Sequence, residues 1–397
     1  MTEHSSNRHG RRVLVVMDTY LPGRLAGGPV TSVVNMIEAL GDDFDFTVVT
    51  RNSDLNGEVY PEVPLGTPVQ VGRASVIYLA AQDFTPGRIL RLAASLGANS
   101  LYLNSFFSVT TIRLLLRLRL GASRLACRIV LAPRGEFSPG ALGLKAGKKQ
   151  AYLRVFGWLG LSRVVHVFQA SSPLEERDIY RTLGPVPVRI AADIPDTPQA
   201  LPGGDRPDGR RLVFVSRISP KKNLHFALQL LRGARGPTDF DIYGPLEDQT
   251  YWQECQRVME TLPPHVRVTY RGLLKHEDVR ATFSCYSAFL FPTQGENYGH
   301  VIFEALSGGC PVVLSDQTPW QDLEAQEVGW ICDLGRPDQF LRAVDEVLSE
   351  PEERAQARRE RCVAYARRVA GDPSVREDNR RLFAQAPGEA HKSGARS

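Results

Sequence analysis

Apolar positions alternate between two spacings along this chain. Residues 11–17, RRVLVVM, make a continuous apolar run of strand length; the loop DTYLPGRLAGGP follows, and then TSVVNMIEAL with apolar positions at helical spacing. The order strand, loop, helix recurs. DFTVVT, ASVIYLA, NSLYLNS, CRIVLAP and VVHVFQA read as strands, and TTIRLLLRLRL and SSPLEERDIYRTL as helices among them. Strands alternating with helices predict a parallel sheet covered on both faces, a doubly wound α/β arrangement.

The pattern breaks between 193 and 210, where DIPDTPQALPGGDRPDGR brings Pro, Gly and charge without an apolar period, the composition of a linker. Beyond it RLVFVSR, FDIYG, VRVTYRG, YSAFLFP, CPVVLS and VGWICD supply a second set of short strands, with helices such as HFALQLLRGA and FEALSG between them. The predicted organisation is a first α/β domain over 11–195, a linker over 196–210 and a second α/β domain over 211–365. A helix over 366–385 is expected to return to the first domain, and 1–10 and 386–397 have the composition of disordered tails. Ligands of open parallel sheets sit outside the carboxyl ends of the strands, so the expected site is a cleft between the domains lined by those ends.

Composition narrows the function. With 397 residues, 43% hydrophobic and 23% charged, the chain is long enough for two ordinary cores. Its formal charge of +4 is too mild for a nucleic-acid surface, so no nucleic-acid partner is expected. Six cysteines, at 127, 255, 285, 310, 332 and 362, contain no Cys-x-x-Cys pair and predict buried thiols in a reducing compartment. The polar start runs straight into a strand and no apolar run reaches bilayer length. A cytoplasmic location is therefore expected, with peripheral attachment at the inner face of the plasma membrane left open.

Two carboxylates stand in GENYGHVIFEAL, residues 295–306, just after strand YSAFLFP. Gly299 permits a close turn into a helix, Glu304 falls about one and a half turns into that helix, and Glu296 precedes it. Both are expected to look toward the helix amino end, which attracts anions, and to accept hydrogen bonds from hydroxyls such as those of a sugar or a ribose. Either alone reads as a cap-region or solvated helix acid. In VFVSRISPKKNL, residues 213–224, Arg217 offers a rigid fork of donors and Lys222 a mobile point charge, a pairing that suits a diphosphate when no metal neutralises it. A basic turn facing solvent is the bland alternative, and is the expectation for Lys221. Gly27 and Gly28, in the first strand-to-helix loop, let backbone N–H groups approach a phosphate, or simply make a turn. A GxGxxG dinucleotide fingerprint is not formed there.

On these residues the sequence resembles glycosyltransferase family 4, retaining enzymes of GT-B fold with two Rossmann-like domains facing across a cleft. The family's pair of glutamates, separated by seven residues, matches Glu296 and Glu304, and its Arg-x-x-x-x-Lys element matches Arg217 and Lys222. Gly244 in FDIYGP and the loop YRGLLKHEDV, 270–279, match its base-binding edge. The resemblance implies a hexosyltransferase that uses a nucleotide-diphosphate sugar as donor substrate, without cofactor or metal. It gives Glu304 the nucleotide ribose, Glu296 hydroxyls of the donor sugar, Arg217 and Lys222 the diphosphate, and the backbone N–H groups of Asn297, Tyr298 and Gly299 the orientation of the sugar. The acceptor it implies is a glycan or lipid-linked oligosaccharide in bacterial surface polysaccharide synthesis.

Departures are visible too. Asn104 and Arg134 stand where many relatives carry histidine, and since neither can take up a proton at neutral pH, no general base is evident in the amino half. A front-face retaining displacement tolerates this, because the leaving phosphate accepts the acceptor's proton. Asp43 and Asp45 spell Asp-x-Asp, a metal motif elsewhere, but join a helix to the start of a strand, away from the expected cleft; no metal site is expected. His166 reads as a core histidine and His300 as a loop residue. The stretch 145–163, with Lys145, Lys148, Lys149 and Arg154 beside Tyr152, Phe156 and Trp158, reads equally as a face for an anionic membrane and as a core helix with a basic edge. Two other classes stay open: a GT-B nucleotide-sugar epimerase, and a non-catalytic carbohydrate-binding or regulatory subunit. Nothing in the sequence codes for the identity of nucleotide, sugar or acceptor.

Overall fold

A computed structural model describes residues 11–23, 27–121, 126–143, 146–197 and 211–384. The expected tails, most of the expected linker and Lys145 lie outside the described residues. The chain divides into two compact units, Met1–Ile194 with Pro373–Ser397, and Pro195–Asp372.

The first unit is built on eight strands: β1 (Arg11–Val16), β2 (Phe44–Arg51), β3 (Val69–Val71), β4 (Ala74–Leu79), β5 (Ser100–Asn104), β6 (Arg128–Ala132), β7 (Val167–Ala170) and β8 (Val188–Ile190). They lie in the order β3-β4-β2-β1-β5-β6-β7-β8, parallel except for the antiparallel β3–β4 pair. β5 and β6 are buried along their whole length, which is why Leu101–Leu103 and Ile129–Ala132 are apolar without a break. β3 and β8 left no such trace. Each is a three-residue edge strand without a buried residue, and its alternation, VQV in β3 and VRI in β8, is too short to stand out from its surroundings.

The second unit holds β9 (Arg211–Val215), β10 (Thr238–Tyr243), β11 (Val266–Gly272), β12 (Ala288–Phe291), β13 (Val312–Ser315) and β14 (Gly329–Cys332), in the order β11-β10-β9-β12-β13-β14 and parallel throughout. Strand order reverses between β1 and β5 in the first sheet and between β9 and β12 in the second. At such a reversal the loops leaving neighbouring strands diverge to opposite faces and leave room for a ligand.

The carboxyl-terminal helix expected over 366–385 is two helices. Glu352–Ala370 stays with the second unit, burying Cys362, Tyr365 and Ala366 and donating a hydrogen bond from the Tyr365 hydroxyl to Asp322 at 2.6 Å. The return to the first unit begins at Pro373, after the break at Gly371 and Asp372. Helix Pro373–Ala384 is anchored by Phe383, whose ring meets Phe44, Phe46 and Tyr102 edge-on at 5.6, 6.0 and 5.4 Å, and by Asn379 donating to the Ala192 carbonyl at 2.7 Å. Asp43 of the Asp-x-Asp pair is occupied by this helix, with Arg376 at 3.3 Å and Arg380 at 3.4 Å. All six cysteines are free thiols, and Cys285 alone among them is half-buried rather than buried.

Phe383→Ala should lower the unfolding free energy of the first unit by about 3–5 kcal/mol, the usual cost of deleting a buried aromatic ring. Urea titration followed by hydrogen exchange of β1, β2 and β5 amides checks this; unchanged protection there would mean that the helix is not anchored by that ring.

Candidate functional site

Two loops meet at the reversal of the second sheet. One leaves β9 and passes through a short 3₁₀ turn, Pro220–Lys222, before helix Leu224–Leu231; the other runs from the end of β12 to Gly299 and helix His300–Ser307. Asn223, at φ 62°, reverses the chain between turn and helix, a left-handed conformation that asparagine tolerates better than most residues. Its side chain donates to the Pro292 carbonyl at 2.9 Å, and the Gln294 N–H donates to the Lys221 carbonyl at 2.8 Å. The loop after β13 is stitched to the same frame: Glu296 N–H to Gln317 carbonyl at 3.1 Å, Ser315 hydroxyl to Thr293 carbonyl at 2.5 Å, and Trp320 Nε1–H to Tyr298 carbonyl at 2.6 Å.

Inside this frame the Lys222 ammonium donates to Glu296 Oε1 at 2.5 Å, the Thr293 hydroxyl donates to the same oxygen at 3.2 Å, and the ammonium lies 5.6 Å from the Phe291 ring centroid. Both charged side chains are only 11% exposed. Burial pushes the Glu296 carboxyl up, but the Lys222 and Lys221 charges and the hydrogen bonds outweigh it and hold the group below the usual carboxylate range. Lys221, expected to be a bystander, therefore acts on Glu296 through its charge and ties the loops together through its carbonyl.

Arg217 lies on the same β9 loop, about half-exposed, with its guanidinium donating to Glu247 at 2.9 Å. The loop is zipped to the one after β10 by Ser216 N–H to Tyr243 carbonyl at 3.0 Å and Ile218 N–H to Pro245 carbonyl at 2.8 Å. Gly244 is required for that approach: at φ 135° a Cβ on it would stand 1.9 Å from the Ser216 carbonyl oxygen. Its role visible here is to let the Arg217 loop pack.

Glu304 does not share a partner with Glu296. It is the fifth residue of its helix, 15% exposed, and its carboxylate lies 3.5 Å from the ring of His276 in the loop after β11. Burial raises its pKa, with His276 and Arg280 pulling it back. A buried carboxyl turns to the nearest cationic groups, and here those lie on the β11 side rather than at the helix amino end where both glutamates were expected to converge. Gly299, at φ 81°, opens the helix after Asn297 and Tyr298, and its carbonyl accepts the Ile302 amide at 2.8 Å. His300 is the first helical residue rather than a loop residue, its ring 5.0 Å from that of Tyr298.

In the first unit Gly27, at φ 55°, caps helix Gly28–Leu40, and nothing lies within 4 Å of where its Cβ would be. Its demand is conformational, and the structure shows Gly28 only as the first helical residue. The reversal between β1 and β5 carries more. Arg134 Nε and Nη2 donate to Asn104 Oδ1 at 3.1 and 3.0 Å, Nη2 also donates to the Tyr102 hydroxyl at 2.7 Å, and Nη1 pairs with Asp193. Two departures that look independent in sequence are one hydrogen-bonded unit. Beside it lies a cavity of about 250 Å³ lined by Asp18, Leu55, Asn104, Arg134 and Glu136 among others. Asp18 accepts from the Ser108 and Thr110 hydroxyls at 2.7 and 2.9 Å, and Glu136 from the Ser105 hydroxyl and the Phe106 and Phe107 amides at 2.7, 2.6 and 3.1 Å. Sequence reasoning passed over both acids; their signal was position, just beyond the carboxyl ends of β1 and β6.

Helix Ala146–Trp158 has an inward face, as the core-helix reading expects, and an exposed end. Tyr152 and Phe156 pack against Phe106 with ring centroids at 5.2 and 4.8 Å, whereas Trp158 is 84% exposed. His166 is half-buried just before β7 rather than in the core, its Nδ1 accepting from the Ile129 amide at 3.0 Å, with its pKa lowered by burial. No helix among the described residues is long and apolar enough to cross a membrane.

Residues 202–369 match the family model described as Glycosyl transferases group 1. That match falls within the second unit, Pro195–Asp372. The O-antigen chain mannosyltransferase B of Escherichia coli is 30% identical over 112 residues, which make up 27% of this chain and 28% of that protein, so the chain aligns with about a quarter of that relative. Among solved structures, HepE of Anabaena in complex with UDP and glucose superposes with a TM-score of 0.67 at 16% identity, over 94% of this chain and 98% of that one. Sucrose-phosphate synthase of Thermosynechococcus elongatus gives 0.65 at 18% identity over 94% and 95%, and the UDP-forming trehalose-phosphate synthase of Burkholderia vietnamiensis 0.64 at 16% over 95% and 100%. At these identities the likeness is one of fold, and the fold is GT-B, with two Rossmann-like parallel-sheet units.

Lys222→Ala would strand a buried carboxylate and should cost about 3–5 kcal/mol, whereas Lys222→Ala combined with Glu296→Gln should recover most of that loss. Because the folded pKa of Glu296 is depressed, its stabilising contribution is present above the unfolded value near 4.3 and disappears as pH falls through the lower folded value. The stability gap between wild type and Glu296→Gln, read by denaturant titration from pH 7 to pH 3, should shrink on acidification; a pH-independent gap contradicts the pairing.

Proposed function

We propose that this chain is a retaining glycosyltransferase that moves a sugar from a nucleoside-diphosphate sugar to an acceptor hydroxyl, without a metal. The observation that carries the proposal is the Lys222–Glu296 pair, built into three stitched loops at the strand reversal of the second sheet, inside the region that matches the group 1 model. As the bond from the sugar's anomeric carbon to the diphosphate oxygen breaks, negative charge grows on that oxygen. A prearranged guanidinium and ammonium, Arg217 and Lys222, stabilise it where it develops. The acceptor oxygen bonds to the same face of the carbon, and its proton passes to the departing phosphate oxygen. That route asks for no protein base. Glu296 then holds donor-sugar hydroxyls, Glu304 the nucleotide ribose, and the amides at Asn297, Tyr298 and Gly299 orient the sugar. Gly244 borders the donor base, and Gly27 and Gly28 are assigned to donor binding as well.

The setting proposed is cytoplasmic synthesis of a bacterial surface polysaccharide or lipid-linked glycan. The sequence identity with an O-antigen mannosyltransferase supports it. Peripheral contact with an anionic membrane through the 146–163 region is supported by the exposed Trp158 beside Lys148 and Arg154.

Arg217→Ala is the cleanest test, since an exposed ion pair adds little to stability. Melting temperatures in a panel of UDP-, GDP- and ADP-sugars should rise for one nucleotide class, and Arg217→Ala should keep the fold while slowing nucleoside-diphosphate release on the order of 10²-fold. Turnover unchanged in that variant would defeat the assignment.

A further inference from the structure

A residue lining the first-sheet cavity carries an orphaned donor. Asn104 is 6% exposed; its Oδ1 is fixed as acceptor by two Arg134 N–H groups, so its orientation is set, and its Nδ2 is buried with no protein acceptor. A buried amide without an acceptor is costly, and one that lines a cavity is relieved by an oxygen from whatever fills it. The turns on either side are unusual as well. Ser105 follows Asn104 at φ 76° and is held by Glu136, while Arg134 sits at φ 57° and its turn is held by Glu175 accepting the Gly135 amide at 2.6 Å. Non-glycine residues in left-handed conformations persist where their surroundings overdetermine them, commonly at ligand sites.

Charge decides which ligand fits. Among the described residues, every cation near the cavity is committed: Arg134 to Asp193, Asn104 and Tyr102; Arg51 to Asp18, through its carboxylate at 3.7 Å and its carbonyl at 3.0 Å; Lys149 to the Ala141 carbonyl at 2.6 Å. Asp18 and Glu136 both line the same space. A phosphate or carboxylate placed there meets two acids and finds its possible cations already paired. A pyranose fits better. Its hydroxyls both donate and accept, which serves Asp18 and Asn104 together, and its C–H face can lie on Leu55 and Pro29. The volume, about 250 Å³, corresponds to roughly eight liquid waters and suits a single ring.

We propose that this cavity is a subsite for a neutral saccharide ring, with Asn104 Nδ2–H as donor and Asp18 as acceptor, and that it selects against phosphorylated or acidic sugars. This deepens the transferase reading above by naming its acceptor class. Asn104 side-chain amide signals, in protein labelled with ¹⁵N only at asparagine and assigned by their loss in Asn104→Ser, report occupancy directly. Titrations with methyl α-mannopyranoside and glucose, and with mannose 6-phosphate and glucose 6-phosphate, should shift those signals saturably for a neutral sugar and at least about tenfold more weakly for its phosphate. Asp18→Asn should narrow that gap. No saturable shift with either neutral sugar, or equal affinity for the phosphates, overturns the proposal. The outcome is separable from donor binding in the second unit: stabilisation by a nucleotide sugar with a silent Asn104 sinks this proposal alone, and an Asn104 response without any donor effect sinks the transferase reading alone.

Discussion

The contact between Lys222 and Glu296 governs the second unit's candidate site. A parallel sheet whose strand order reverses must send two neighbouring loops in opposite directions, and these two residues bridge them. Buried ion pairs are poor sources of net stability, since desolvating two charges offsets most of their attraction. An apolar pair of similar volume would hold the loops as well. What the ion pair does, and an apolar pair would not, is to keep a cation and an acid at low exposure beside the first turn of a helix, with their geometry fixed by backbone and hydroxyl contacts on three loops.

The two sheets use the same topological feature with opposite electrostatics. At the second reversal Arg217 is about half-exposed, and two adjacent lysines bring positive charge to bear on Glu296. At the first, Arg134 is buried in a network with Asp193, Asn104 and Tyr102, and the cavity lining adds the acids Asp18 and Glu136. A polyanion is suited to the former and a neutral polyol to the latter. Such a division follows from which side chains are already spent on protein partners, more than from residue counts.

Much of this was legible in the chain. Strands buried on both faces carry apolar runs at their centres, so β1, β5, β6 and β9 could be read directly, whereas β3 and β8, three residues each and at edges, are too short to be told from loop. Position after a strand located Arg217, Lys222 and Glu296. Sequence could not show that Lys222 and Glu296 share one hydrogen bond across 74 residues, or that Glu304 turns away to His276, because side-chain partners are chosen in three dimensions. The helix expected over 366–385 failed at its boundary for a local reason: Gly371 and Asp372 break it just before a proline well suited to start the next. Asp18 and Glu136 went unread because a lone acid after a strand is common and becomes informative only when a cavity gathers several.

The central claim is that Lys222 supplies charge to a diphosphate bound at the second reversal. Calorimetric titration of UDP and GDP, each against its parent nucleoside, into wild type and into Lys222→Met combined with Glu296→Gln tests it most directly, since the double change keeps the buried site neutral. The account predicts that the affinity advantage of diphosphate over nucleoside falls by at least about tenfold in the variant, the scale of one lost charge-assisted contact. An advantage that survives intact would mean that the diphosphate is held elsewhere.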